Sequence, residues 1–417
     1  VTDSTSTLIA GRFPAPPEPE LTPADLLARA EAMVPMLIER QAEVERRTFY
    51  AEDVHEMFRA AGFYRITVPR RYGGYEFGFD TFLRVVMILA RGCPSTAWMY
   101  CLGAAHSLVA GMIFSERTQD EIFQGGDFIA PAVIAPGGTA RRDPEGGWVL
   151  DGTWTYCSGS PYATHFIGHA MVTDEADGST YPLLFIAPRD RWRRLDDWGS
   201  QLGLKGSGSH SVVFEGARIP AHFALERAHL GEFVVADGLP GRALHEHPQY
   251  GGAPFSSMCL EGAALGVGIA QGGLEAYREM ITTRMTSAPP IVLRAEDPDY
   301  QLWYGRAAAQ ISAAEAIVLS AIDQWNELCT RAPEEFTPAE DLRIAMICRE
   351  AAELAWRAVE QFIQPTAGTS AVKPTERIER IWRDLSTCHS HAGFAVTMLT
   401  AIPRAYTQLS LAPRAGS

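Results

Sequence analysis

The order of patterns along the chain predicts an α+β protein in three parts: an N-terminal helical domain, a central β-barrel or sandwich domain and a C-terminal four-helix bundle. Three observations carry this expectation. Apolar residues recur at helical spacing from Thr22 to about Phe114; short β-rich runs broken by Gly, Asp and Ser clusters fill the stretch from Gly125 to about Val235; four long helical patterns with short links occupy the remainder.

Residues 1–21 are expected to form a flexible Pro-rich leader, 22–125 the helical domain, 126–235 the β domain, 236–254 a polar linker or lid, and 255–417 the bundle. The helical domain opens with a Thr22 cap and Pro23 in the first turn, then Leu26, Leu27, Ala30, Met33, Val34 and Leu37 on one face. Residues 53–61 form a short helix stopped by Gly62, and 79–90 a longer one, with the Gly-rich turn PRRYGGYEFG between them. Residues 96–114 are apolar all round and are expected to be buried. His106 in their middle is either a hydrogen-bonded core residue or a catalyst.

In GGWVLDGTWTYCSGSPYA (146–163), Asp151-Gly152 between β-branched and aromatic runs signals a two-residue hairpin turn, so 148–150 and 153–158 are expected to be paired strands. Alternation then places Trp154, Tyr156 and Ser158 on one face and Thr153, Thr155 and Cys157 on the other. A flat aromatic beside a hydroxyl suits the edge of a planar heterocycle, although this stretch alone reads first as an ordinary amphipathic hairpin. Further strands are expected over 166–173, 181–187 and 211–214, and helices over 256–285, 300–329, 339–364 and 376–401, with Pro365 ending the third and Pro374 preceding the fourth.

Charge and cysteine usage exclude several classes. With 36 basic against 50 acidic residues and a net charge of −14, no basic surface for nucleic acid or anionic membrane is expected. Seven cysteines without a CxxC pair fit a reduced cytoplasmic protein with neither a disulfide frame nor structural zinc. The first residues lack a basic segment followed by an apolar one, and no run is expected to reach membrane-span length. No metal is expected either. Glu52-x-x-His55 and Glu226-x-x-His229 have di-iron spacing, but the second pair lies at the end of the β region. His389 and His391 lie about 200° apart on a helix, so they cannot share an ion; His245 and His247 fall in a loop and could share one in principle, but are read first as solvated or part of a lid. The GVG after Leu265 sits inside a helical run and is not a dinucleotide fingerprint.

Five segments in order resemble the acyl-CoA dehydrogenase superfamily, and within it the two-component flavin-dependent monooxygenases, the group D aromatic hydroxylases. They are VPRRYGG (68–74), CPSTAWMYCLGAAH (93–106), APGGTARRDPEGGWVLDGTWTYCSG (135–159), GLKGSGSHSVVFEGARIP (203–220) and ERIERIWRDLSTCHSH (376–391). The dehydrogenases usually carry a catalytic glutamate after the arginine-aspartate pair; here LSTCHSHAGF follows Arg383-Asp384 and holds no carboxylate. His391, seven residues beyond Asp384, is expected to share a face with Asp384 and Cys388, and by the resemblance acts near the substrate hydroxyl. A dehydrogenase with its base on another helix stays open.

The resemblance implies reduced FMN or FAD handed over by a separate NAD(P)H:flavin reductase, O2 as co-substrate, and a flavin C4a-hydroperoxide that oxidises a small phenolic or other aromatic substrate; oxidation at sulfur or nitrogen stays open. It further implies a homotetramer with the bundles at its centre. Residue by residue, Trp154 and Ser158 would meet the isoalloxazine, Ser158 near N5, and His106 would face the substrate opposite His391. Arg284 would match an arginine offered to a neighbouring subunit's flavin phosphate, and Gly368 a glycine turn near the cofactor, although TTRMTSAPP and AGTSA both depart from the usual patterns. Such chemistry needs water kept out, because peroxide elimination competes with oxygen transfer, and a histidine near neutral pKa to take the phenolic proton.

Overall fold

The computed structural model describes residue 13, residues 15–391 and residues 399–411. Thr22 opens α1 (Pro23–Arg47) through a capping box shared with Asp25. α2 (Glu52–Ala60), α3 (Phe79–Gly92), α4 (Pro94–Ala104), α5 (His106–Ile113) and α6 (Glu116–Ile122) follow. The single helix expected over 96–114 is thus two, meeting at Ala105. Together Pro94–Ile113 spans 20 residues and is apolar enough to cross a membrane by length and composition, contrary to expectation. With 94% of its most apolar window buried, core packing accounts for that composition.

The central part is one sheet of β1 (Ala132–Val133), β2 (Gly138–Arg142), β3 (Trp148–Trp154), β4 (His165–Thr173), β5 (Thr180–Pro188), β6 (Arg193–Arg194), β7 (Val212–Ile219) and β8 (Ala224–Glu226). Its order is β6-β7-β3-β2-β4-β5-β8, with β1 paired to β4. Phe185 of β5 and Phe214 of β7 lie 5.5 Å apart although β3, β2 and β4 separate their strands, so the sheet curls over on itself.

Asp151-Gly152 is not a hairpin turn. It lies inside β3, where the register against β7 shifts between Leu150 and Asp151, and Asp151 Oδ1 accepts the Gly216 N–H at 2.6 Å. The β2–β3 turn is Asp143–Gly147 instead, closed by the Gly146 N–H to Asp143 O bond at 2.9 Å, with Gly146 and Gly147 at φ 99° and 96°. DPEGG is as good a turn signal as DG, and only cross-strand pairing chooses between them.

α7 (Pro240–Leu244) leads to the bundle: α8 (Pro254–Thr283), α9 (Pro298–Thr330), α10 (Pro338–Ala358), a π-helical turn (Val359–Ile363), α11 (Gln364–Ala367), α12 (Arg377–His389) and α13 (Ile402–Leu411). α8 is the central helix, packed by α3, α4, α9, α10 and α12. The helix expected over 376–401 ends at His389; residues 392–398 lie outside the described residues, as does most of the leader. Ser, Thr and Cys are weak helix formers, and the Thr387 and Ser390 hydroxyls turn back onto the Arg383 and Ser386 carbonyls.

The loop before β7 is seated on α12 by direct backbone contact. A Cβ on Gly203 would lie 2.1 Å from the Arg383 carbonyl oxygen, and the Leu204 N–H donates to Asp384 Oδ1 at 2.6 Å. Gly203→Ala is therefore expected to destabilise the protein by about 1–3 kcal/mol, as overpacking does. Urea unfolding measures it, and an unchanged midpoint would show that the loop yields freely.

Candidate active site

The chain leaves β3 at Trp154, passes through Tyr156 in the left-handed region (φ 60°), and turns again at Gly159 (φ 95°). That turn docks on α4 glycine to glycine: a Cβ on Gly159 would lie 3.0 Å from the Gly103 Cα. Close approach brings Ser158 beside Trp98, one turn before Leu102 on the same α4 face. The Trp98 indole N–H donates to Ser158 Oγ at 3.0 Å. Ser158 Oγ is 2.7 Å from Ser209 Oγ, which is 2.7 Å from Ser207 Oγ, giving a buried chain of hydroxyls that ends on an indole. Trp98 also meets the His391 ring edge-on, centroids 5.5 Å apart. Ser158, Trp98 and His391 therefore converge from the sheet, the N-terminal helices and the bundle.

Because Ser158 accepts from Trp98, the direction of the hydroxyl chain depends on what else is present. An acceptor placed beside Ser158 takes its proton, and Ser209 then donates to Ser158 with Ser207 behind it. Two reversible hydroxyls let one group serve as donor without leaving a buried oxygen unsatisfied.

Trp154 does not share this face. It is fully buried inside the curled sheet, edge-on to Phe166, Phe185 and Phe214, and its indole N–H donates to the His169 carbonyl at 2.9 Å. Strand alternation fails because β3 ends at Trp154 and Tyr156 takes positive φ. Tyr156, 66% exposed and edge-on to Trp198 at 5.6 Å, is the aromatic open to a planar ligand. His210 holds the Trp198 loop: its Nδ1 accepts the Asp197 and Trp198 N–H groups, both at 3.2 Å, which leaves Nε2–H to donate to Thr48 Oγ1 at 3.0 Å. Trp154→Phe is expected to cost about 0.5–1.5 kcal/mol of stability by removing the indole donor from the His169 carbonyl, which keeps the Gly137 N–H at 3.4 Å, with flavin affinity unchanged. Tyr156→Ala is expected to do the reverse, weakening flavin binding at an unaltered unfolding midpoint. Fluorescence titration and thermal melts of both variants test the exchange.

His106, at the start of α5, is buried, and its Nδ1–H donates to the Ala130 carbonyl at 2.7 Å, which fixes the tautomer. Burial lowers its pKa to about 4, so it is neutral at physiological pH. His391 lies two residues beyond α12, its N–H donating to the Cys388 carbonyl at 3.1 Å. It keeps solvent-accessible surface, and the protein crowded around it lowers its pKa by desolvation. Asp384 is fully buried, and desolvation raises its pKa to about 7. Its role is to hold the loop at Leu204.

The structure brings Arg284 and Gly368 together away from the serine chain's own partners. Arg284, capping α8, donates to Ser370 Oγ at 2.9 Å and pairs with Glu376 at 3.2 Å. Arg294, which sequence patterns did not single out, donates to the Ala367 carbonyl at 2.8 Å, and Gly368 takes φ 81° beside it. The remaining histidines serve structure. His55 bonds the Tyr64 hydroxyl and stacks on Tyr162; His245 bonds Gln119 and His247 caps Gln249; His389 pairs with Glu353 and stacks on Trp356. His245 and His247 are thus pinned rather than solvated. Among the described residues no group of His, Cys, Asp and Glu could hold a metal ion. Trp98, Trp198, Ser207 and Ser209 also escaped assignment, although GLKGSGSHS was visible as a motif.

Family models agree with this architecture: the acyl-CoA dehydrogenase N-terminal domain matches residues 27–120 and the C-terminal domain residues 260–396. The chain belongs to the acyl-CoA dehydrogenase superfamily, in which a helical domain, a sheet and a helical bundle close over one site. Relatives it matches include proteins named as hydroxylases and as flavin-dependent monooxygenases. A pigment production hydroxylase from a Rhodococcus strain is 27% identical over 89% of this chain and 93% of that protein. The FADH2-dependent resorcinol hydroxylase oxygenase component of a Rhizobium strain is 28% identical over 80% of this chain and 81% of that protein. XiaF from a Streptomyces strain, solved with FADH2 and glycerol, superposes with a TM-score of 0.82 at 24% identity, covering 95% of this chain and 97% of that one.

Proposed function

We propose that the protein is the oxygenase component of a two-component flavin-dependent monooxygenase, using reduced FMN or FAD from a separate NAD(P)H:flavin reductase, and O2, to hydroxylate a phenolic or other aromatic substrate. The observation that carries this is the Ser158–Trp98–His391 constellation: a donor hydroxyl with a reversible proton supply, next to a histidine, at the place where a dehydrogenase usually has its carboxylate. The residues present fit a flavin. Tyr156 and Trp198 offer aromatic edges, Ser158 a hydroxyl aimed at a ring edge, and Arg284 with the Gly368 turn a cationic, small-residue cradle.

Bound reduced flavin supplies the activation of O2 and the transferable oxygen atom. The protein's own residues do the rest. Ser158 donates a hydrogen bond while Ser209 and Ser207 keep its oxygen satisfied. Trp98, Leu102 and the buried α4–α5 face keep water from the reacting atoms. His391, neutral because its pKa is lowered, takes the phenolic proton and raises the nucleophilicity of the ring. Neutral His106 presents a fixed tautomer and adds no positive charge.

One observation favours a dehydrogenase: Glu261 on α8 is a buried carboxyl on another helix. Desolvation holds its pKa well above the usual carboxylate range, which keeps it protonated and unable to accept an α-proton as it stands. Reoxidation separates the two readings. Protein carrying reduced flavin is expected, on mixing with oxygenated buffer, to give a flavin transient that outlives free-flavin reoxidation. Featureless reoxidation, with oxidised flavin bleached by an acyl-CoA, would make it a dehydrogenase. The seven buried free cysteines support a reducing cytoplasm. A homotetramer is supported by exposed Met285, Ile291 and Leu302 beside the bundle, whereas α8 is consumed in its own chain's core.

A further inference from the structure

Among the described residues, Glu261 is the only carboxylate with both oxygens buried and without a partner. It is 1% exposed, about two turns into the bundle's central helix. A protonated carboxyl still carries one O–H donor and acceptor capacity, and leaving both unmade is costly in a position where Leu or Met would pack freely. Such a group needs an account beyond packing.

Its neighbourhood supplies one. Cys101 lies one turn along α4 from Trp98 and within electrostatic reach of both Glu261 and Cys388, and Cys388 stands three residues before His391. Glu261 therefore lies on the part of α8 that packs against α4 near Cys101, where α12 also packs. Phe255 and Met258, on the α8 turns before Glu261, are apolar yet only partly buried, and so is Leu102 beside Cys101. Each keeps accessible surface although most of its neighbours along the helix are buried. Desolvation is the sole cause of the raised Glu261 pKa, so no cation stands near it.

We propose that Glu261 is the inner anchor of the substrate cavity, a neutral carboxylic acid that hydrogen-bonds an uncharged hydroxyl or carbonyl at the far end of an aromatic substrate whose reacting end lies at Ser158 and His391. This rests on the monooxygenase reading and narrows it. A carboxylate-bearing substrate would be buried there without a counter-charge, so the substrate class is a neutral phenol with a second polar group rather than an aromatic acid.

Anaerobic calorimetric titration of the protein with reduced FMN bound tests this, with resorcinol as neutral probe and 4-hydroxyphenylacetate as its anionic counterpart. The wild-type protein is expected to bind the neutral probe more tightly. E261L is expected to weaken that binding about tenfold to a hundredfold without lowering the thermal midpoint, and E261Q, which also donates and accepts, to stay within a few-fold of wild type. Equal affinity in wild type and E261L, equal loss in E261Q and E261L, or preference for the anion each overturns the anchor. The oxygen reaction without substrate reports separately on the parent reading. If wild type fails there, the function falls; if it succeeds while the Glu261 variants bind as wild type does, only the anchor falls.

Discussion

Ser158→Ala leaves a folded protein that still consumes reduced flavin and O2 but releases most of the oxygen as hydrogen peroxide. The expectation follows from position. The Ser158 hydroxyl is buried, bonded by the Trp98 indole N–H, and backed by Ser209 and Ser207. Removing one preorganised donor of this kind costs about 10²–10³ in the step it serves, and elimination is the competing fate. Peroxide released per product formed, measured with catalase-coupled oxygen uptake, should rise by at least tenfold on that scale. Ser209→Ala should show a smaller rise in the same direction, because it removes only the backing hydroxyl. Coupling as efficient as wild type in Ser158→Ala would remove the serine from the chemistry.

His391→Asn has the second large effect, a loss of about 10²–10⁴ in hydroxylation rate, the usual worth of general-base help. The pH profile tells this role from a structural one. Desolvation lowers the folded pKa of His391, so the ring stays neutral above that value and charges only below it. Wild-type kcat/KM should therefore hold at neutral pH and fall on an acid limb below the ordinary histidine value of about 6.5. His391→Asn should lose that limb along with the rate. The same sign governs stability. A depressed histidine pKa favours the folded state above the unfolded pKa and gives that up as pH falls through the folded one. A rate loss with the acid limb intact would assign the base elsewhere.

Most of the architecture was legible because it rests on periodicity. Helical spacing from Thr22 onward and the apolar band around His106 follow from burial of one face or all faces, which any fold must respect. Ser158 was legible as a hydroxyl next to a glycine break, and His391 as the residue replacing a carboxylate. Trp154 and Tyr156 were expected on one face and lie apart, because alternation is a property of a strand and this strand ends at Trp154. Asp151-Gly152 looked like a turn because a bulge and a turn ask for the same residue types.

By itself, then, the sequence determined the order of helices and strands, the family and the candidate hydroxyl of Ser158, all of which depend on neighbours within a few residues or on matched motifs. Tertiary structure alone decided which indole faces the site, that Trp98 reaches Ser158 across 60 residues, that Ser209 reaches it across 51, and that Glu261 is left unpaired in the core. Those facts depend on close packing between segments remote in the chain, where a glycine-to-glycine contact such as Gly103 against Gly159 selects one docking among many.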